Sequence, residues 1–307
     1  MAHRSPGRVT LEQVIARIPE WAGANVTTSV LGGGITNLNY RVDVHGEAFV
    51  VRIPGQDSVL LGIDRQREYA CTLAASRAGV APEVVHFLEP EGILVTRFIA
   101  GREFSIEEFG RPDALRRVAA SIQRYHRGPT FPGRFSAFDT AQEYLRISRR
   151  GAPLPSSIEW MMEQAGTIRR ALLAAPGPPR PCHNDLLLAN FIDDGHLIRI
   201  VDWEYAAMGD PFFDLANFAV HQELDDDQET VLLETYAGRA TGPLRARLKL
   251  MKILSDLREA LWAMVQVTIS TLDYDFGAYG QRHFDRYARQ LANPGLSAWL
   301  AESAAAG

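Results

Sequence analysis

Three residues carry the chemistry legible in this chain: Asp185, Asn190 five positions on, and Asp202 twelve positions beyond that. They sit in His183-Asn184-Asp185-Leu186-Leu187-Leu188-Ala189-Asn190 and in Val201-Asp202-Trp203-Glu204. Phosphoryl transfer calls for such a set. Its transition state spreads negative charge over oxygens, so catalysis rests on positioning and on cations, and hard Mg²⁺ takes oxygen ligands. In that scheme Asp185 accepts the proton of an attacking hydroxyl, while Asn190 and Asp202 offer oxygens to the metal.

Local elements must bring these residues together. Asn190-Phe191-Ile192 and Leu197-Ile198-Arg199-Ile200-Val201 flank Asp193-Asp194-Gly195-His196, which reads as a β-hairpin whose turn residues tolerate positive φ. A hairpin joins its own ends, so Asn190 and Asp202 are expected to converge on one ion. Upstream, Gly32-Gly33-Gly34 lies between Val30-Leu31 and the alternating run Asn39-Tyr40-Arg41-Val42-Asp43-Val44. Glycines there let backbone N–H groups approach anionic phosphates with no Cβ in the way. A glycine triplet by itself more often marks a turn; the downstream acids favour the phosphate-covering reading.

Together these strings resemble the choline/ethanolamine kinase branch of the aminoglycoside phosphotransferase-like superfamily, whose members share the protein-kinase fold. The resemblance is carried by Leu31-Gly32-Gly33-Gly34-Ile35-Thr36-Asn37, by Val50-Val51-Arg52, by His183 through Asn190, and by Val201-Asp202-Trp203-Glu204-Tyr205 running on to Gly209-Asp210-Pro211-Phe212-Phe213-Asp214-Leu215-Ala216-Asn217. It implies an α+β, two-lobed protein-kinase-like fold. Residues 1–97 would form a small antiparallel-sheet nucleotide lobe with a helix, and residues 98–307 a larger, mainly helical lobe for catalysis and acceptor binding. It also implies ATP and Mg²⁺ as cofactors. Gly32, Gly33, Gly34, Thr36, Asn37, Arg52, Glu68, Arg97 and Ile99 then face the nucleotide, Asn190 and Asp202 the metal, and Asp185 the reacting hydroxyl. Arg97 and Ile99 are assigned by position alone, because Ile93 through Ile99 reads as a strand leading into the hinge whose backbone holds adenine.

Arg52 stands where protein kinases carry a lysine, a departure common in the choline-kinase branch; a guanidinium can fork onto two phosphate oxygens. Asp64 is expected to cap a helix through Ala78, closed by Gly79, with Glu68 in its first turn as partner to Arg52. Pro112-Asp113 opens a helix with Leu115, Val118, Ile122 and Tyr125 on one face, ended by a structural His126. His183 reads as architectural, and Asp214 as reaching back to the catalytic loop, as its counterpart does in the family.

The acceptor site falls to the C-terminal helices. Leu254, Leu257, Leu261 and Val265 make a core stripe, and Glu259, Trp262 and Gln266 share a second face. Choline kinases carry two Trp three apart in the matching segment; here Trp262 matches one and Glu259 stands at the other. A quaternary ammonium is held by ring faces, whereas a primary ammonium gains charge-assisted hydrogen bonds to a carboxylate, so Glu259 favours an acceptor that can donate. Asp185, Glu204, Glu259, Trp262 and Tyr279 are the expected acceptor residues, with Tyr274 and Phe276 as further aromatic walls.

Composition is consistent with this reading. A net charge of −5 and no long basic run argue against nucleic acid and mildly favour a cationic substrate. No run of 18 apolar residues occurs and the N-terminal segment has no apolar signal core, so no membrane partner is expected and the cytoplasm is the expected compartment. Cys71 and Cys182, far apart and without zinc spacing, read as plain thiols. Oligomeric state has no sequence signal. The expected activity is ATP-dependent phosphorylation of a small cationic amino alcohol, choline or ethanolamine foremost. An aminoglycoside, thiamine or a similar hydroxyl compound is the alternative acceptor. A non-catalytic nucleotide-binding pseudokinase is the rival of a different class, which the presence of all three catalytic residues disfavours.

Overall fold

Residues 9–32, 36–55 and 58–304 are described by a computed structural model of the chain. The first helix, α1 (Leu11–Ala16), begins with a reciprocal capping box between Thr10 and Gln13. Its Leu11 and Val14, with Ile18 and Trp21, pack on one face of a sheet formed by β1 (Val26–Leu31), β2 (Asn37–Val44), β3 (Glu47–Pro54), β4 (Val84–Leu88) and β5 (Ile93–Arg97). The strands are antiparallel in the order β1-β2-β3-β5-β4. Phe49, Val51 and Ile53 alternate inward along β3, as the two-residue period of a strand requires, which leaves Arg52 on the opposite face.

Between β3 and β4 runs α2 (Arg65–Arg77), where Asp64 accepts from the N–H groups of Gln66 and Arg67 and Gly79 turns the chain at φ +78°. Cys71, Ala74 and Ala75 on α2 join the larger core rather than the core under the sheet. The helix that carries Glu68 is thereby tied to the mainly helical part of the molecule.

The strand expected over 93–99 stops at Arg97. Beyond it come β6 (Arg102–Glu103), α3 (Ile106–Phe109), α4 (Pro112–His126), α5 (Ala137–Ser148), α6 (Ile158–Ala174), β7 (Arg180–Cys182), β8 (Phe191–Asp193), β9 (Ile198–Ile200) and β10 (Ala207–Gly209). The chain ends in α7 (Pro211–His221), α8 (Asp226–Ala237), α9 (Gly242–Ile269), α10 (Phe276–Leu291) and α11 (Leu296–Ala304). The expected face of α4 is fully buried. Helix α9 packs against α5, α7, α10 and α11 and is buried at every residue from 253 to 266, so it is a central helix with more than one apolar side. Polar Asp256, Arg258, Glu259 and Gln266 are carried into the interior with it. The result is the expected α+β architecture, a small antiparallel sheet with a helix joined to a mainly helical body. Among the described residues no helix is long and apolar enough to cross a membrane, and Cys71 and Cys182 are buried free thiols.

Candidate active site

The hairpin forms as read. Strand β8 pairs antiparallel with β9, and the Val201 N–H donates to the Asn190 carbonyl at 3.0 Å, so the two ends of the hairpin meet beside residues 190 and 202. The Asn190 side-chain amide donates to the backbone carbonyl of Asp185 at 2.8 Å. That bond fixes which way the amide points and leaves Asn190 Oδ1 without a donor among the described residues. Asp202 and Asn184 hold φ of +68° and +67°, a conformation costly for residues with a Cβ that persists where the surroundings impose it.

Those surroundings are the second layer. The Asp214 carboxylate, in the first turn of α7, accepts from the His183 and Asn184 backbone N–H groups at 2.8 and 2.7 Å and from the Tyr125 hydroxyl at 2.5 Å. His126 Nε2 lies 2.9 Å from the same carboxylate. Burial works to raise the Asp214 pKa, but the His126 and Tyr125 contacts outweigh it and hold the group below its ordinary value. The Leu186 N–H donates to Asn217 one turn further along α7. His183 is fully buried, which lowers its pKa; as a neutral ring it donates from Nε2 to the Val201 carbonyl at 2.9 Å and accepts the Asp185 N–H at Nδ1. It is architectural, as expected.

On the nucleotide side, Arg52 Nη1 lies 2.7 Å from Glu68 Oε1 and 2.6 Å from Asp202 Oδ1. Arg65, which the sequence reading passed over, binds the other Glu68 oxygen at 2.6 Å and Glu204 at 3.1 Å. Glu204 also accepts from Thr36 Oγ1 at 2.7 Å and Asn37 Nδ2 at 2.9 Å. Glu204, expected at the acceptor, has its two oxygens hydrogen-bonded by Thr36, Asn37 and Arg65. Burial, with Asp202 and Glu68 nearby, pushes its pKa up to about 7. Gly32 follows β1, while Gly33 and Gly34 lie outside the described residues. The Arg97 guanidinium pairs with Glu47 and Glu83, and the Arg97 backbone N–H donates to the Glu83 carbonyl at 2.8 Å, so both groups already have partners. The Ile99 N–H enters no hydrogen bond among the described residues.

On the opposite side of Asp185, α9 delivers Glu259 and Trp262, both buried. Tyr279 donates its hydroxyl to Glu259 at 3.3 Å, and its ring meets Trp262 edge-on at 6.1 Å. Phe276 stands edge-on to Trp262 at 5.9 Å, and Trp262 Nε1 donates to the Tyr205 hydroxyl at 3.0 Å. The expected residues are thus gathered, but an unforeseen one lies among them. Arg258 Nη1 pairs with Glu259 Oε1 and lies 3.3 Å from Asp185 Oδ1, with its guanidinium 4.8 Å over the Tyr205 ring. Burial and the Glu259, Asp202 and Glu204 carboxylates push Asp185 up to about 8, against the pull of Arg258. Burial also acts on Glu259, but Arg258 beside it holds that carboxyl well below the usual range.

The donor set left at the hairpin, an amide oxygen and a carboxylate, consists of hard oxygen ligands and fits Mg²⁺. A carboxylate at Asp185, hard oxygen donors at Asn190 and Asp202 and the Arg52 guanidinium beside Asp202 are the groups that phosphoryl transfer calls for.

The chain belongs to the phosphotransferase enzyme family, which matches residues 27–250. It is an ATP-dependent kinase with the two-lobed protein-kinase-like fold. It is 34% identical to the crystal structure of a choline/ethanolamine kinase family protein from Mesorhizobium loti, over 95% of this chain and 97% of that one, with a TM-score of 0.84. It is 26% identical to Protein LicA of Haemophilus influenzae, over 82% of this chain and 76% of that protein. It is likewise 26% identical to ethanolamine kinase 2 of Rattus norvegicus, over 88% of this chain and 77% of that protein.

Proposed function

We propose that this kinase moves the γ-phosphoryl group of ATP onto the hydroxyl of a small amino alcohol, choline or ethanolamine. The observation that carries the reading is the grouping of buried Glu259 and Trp262 with partly buried Tyr279 beside Asp185. A carboxylate and ring faces recognise an ammonium group, and the base a short reach away serves a hydroxyl on the same small molecule. Kinship with proteins named for choline and ethanolamine kinases supports it.

In the reaction, Asp185 takes the hydroxyl proton as the acceptor oxygen bonds to the γ-phosphorus and the bond to ADP breaks. A base whose pKa has been raised toward neutrality suits that proton transfer. Arg52, held by Glu68, steers the phosphates. Asn190 and Asp202 would hold Mg²⁺, which when bound neutralises charge on the transferring group. The Ile99 N–H is the hinge donor proposed for adenine. Residues up to about 97 act as the nucleotide lobe and the remainder as the acceptor lobe, in a cytoplasmic enzyme.

The test is nucleotide turnover by the purified enzyme against choline, ethanolamine, an aminoglycoside and thiamine, with and without Mg²⁺. Mg²⁺-dependent phosphorylation of choline or ethanolamine is expected. Turnover of another hydroxyl compound with none of either amino alcohol overturns the acceptor assignment, and nucleotide binding without any turnover favours the pseudokinase.

A further inference from the structure

Around Asp185 the interior holds two acids and one internal cation. Arg258 is 1% exposed, and its Nη1 alone serves both Asp185 and Glu259. Its Nε and Nη2 meet no hydrogen-bond partner among the described residues, and its third neighbour is the face of the Tyr205 ring. The positive charge therefore acts on these two carboxylates and on no third acid within ion-pair distance. His221 of α7 also faces Glu259, at 3.7 Å, and Tyr279 of α10 gives it a neutral hydroxyl. Beyond Asp185, the three acids Glu68, Asp202 and Glu204 share the two cations Arg52 and Arg65, a cluster with no ion pair to Arg258 among the described residues. With Asp185 in the ionised form that acts as base and Glu259 ionised, the one guanidinium between them leaves this pair of acids one uncompensated negative charge.

We propose that Arg258 is a specificity-determining residue: by cancelling one of the two buried carboxylates it leaves the acceptor pocket a single net negative charge, which selects a monocationic amino alcohol over a neutral one. The inference rests on the acceptor reading above, but concerns charge count rather than contact. In a water-poor site an unmatched charge is costly, so the acceptor's charge has to complete the neutrality that the side chains leave unfinished. A direct-contact account needs only Glu259. The charge-count account needs the difference between Glu259 and Arg258, and the two diverge when both are changed.

The experiment compares kcat/KM for choline with that for the neutral alcohol in which carbon replaces its nitrogen. If the wild type uses only ethanolamine, propan-1-ol serves as the neutral partner. Assays at a pH of about 9 lie above the ordinary histidine range. Glu259→Gln leaves Arg258 to cancel Asp185, and the preference for the cation is expected to fall by at least about tenfold. Arg258→Met with Glu259→Gln restores one net negative charge, and most of the preference should return, at lower absolute rate. This double variant also removes both partners of a buried ion pair, which is tolerated far better than removing one. Arg258→Lys, keeping the charge, should keep the ratio. Inhibition by tetramethylammonium, which has no hydroxyl, should follow the same order and needs no measurable turnover of the neutral alcohol. If the double variant stays as unselective as Glu259→Gln, contact alone decides and the inference is overturned while the acceptor reading stands. If the wild type does not distinguish cation from neutral alcohol at all, the acceptor reading itself has failed.

Discussion

Arg52 on β3 and Glu68 on α2 meet at 2.7 Å across a strand-to-helix connection, with Glu68 almost wholly buried and Arg52 one-eighth exposed. The same Arg52 nitrogen lies 2.6 Å from Asp202, so the pair ties the sheet, α2 and the residue proposed to hold Mg²⁺ into one unit. Arg52→Ala should lower turnover strongly, Arg52→Lys should recover only part of it, and Glu68→Ala should act in the same direction more mildly. A double-mutant cycle on kcat/KM should show a coupling of roughly 0.5–3 kcal/mol. Additive effects would mean that the contact has no part in catalysis.

Base and metal residues should separate by what they abolish. Asp185→Asn is expected to cut kcat by roughly 10²–10⁴-fold while nucleotide affinity holds. Asp202→Ala should weaken Mg²⁺-dependent nucleotide binding as well as turnover. Chelation of Mg²⁺ should stop the reaction reversibly. Wild-type turnover by Asp185→Asn would remove Asp185 from the role of base.

Trp262 offers a ring face, and a ring rewards a quaternary ammonium more than a primary one. Trp262→Ala should therefore reduce kcat/KM for choline more than for ethanolamine, by about fivefold for a ~1 kcal/mol ring contribution. Both acceptors present the same primary hydroxyl, so the ratio reports the headgroup. The variant should also melt lower, because a mostly buried ring is lost and Tyr205 loses its donor. An unchanged ratio in a folded variant would place Trp262 in the core and not at the acceptor.

Asp214 makes a prediction about stability. Its folded pKa is depressed relative to an ordinary, unfolded aspartate at about 3.9. The stabilisation is fully present above that unfolded value and is lost as pH falls through the lower folded one. Asp214→Asn should cost about 3–5 kcal/mol at neutral pH, since it strands a set of buried donors aimed at a charge. Denaturation followed from neutral to acid pH should show wild-type stability falling on the acid side and a flatter curve for the variant. Parallel curves would assign the acid sensitivity to other groups.

Much of the catalytic centre could be read from the chain because it is local. Asp185, Asn190 and Asp202 lie within eighteen residues, joined by a hairpin whose turn chemistry and alternation are visible in the letters. Helix caps at Thr10 and Asp64 and the buried face of α4 follow from equally short-range rules, whereas the reach of Asp214 is implied by the family resemblance. Arg52 and Glu68 could be paired because the family resemblance named the strand and the helix that carry them.

What local pattern could not display was decided by the tertiary packing. Glu204 is held by Thr36 and Asn37 from the far side of the chain, more than 160 residues away, a placement that no local pattern displays. Helical periodicity grouped Glu259 with Trp262 and left Arg258, about 100° round the helix, on another face. On a helix buried on nearly every side, that face is also interior, and a long guanidinium side chain can bend back to the acids beside it. The residue types of the centre were therefore set along the chain, whereas the pairing of its charges was settled only when α9 packed behind the catalytic loop, because the strength of a charge depends on what surrounds it in space.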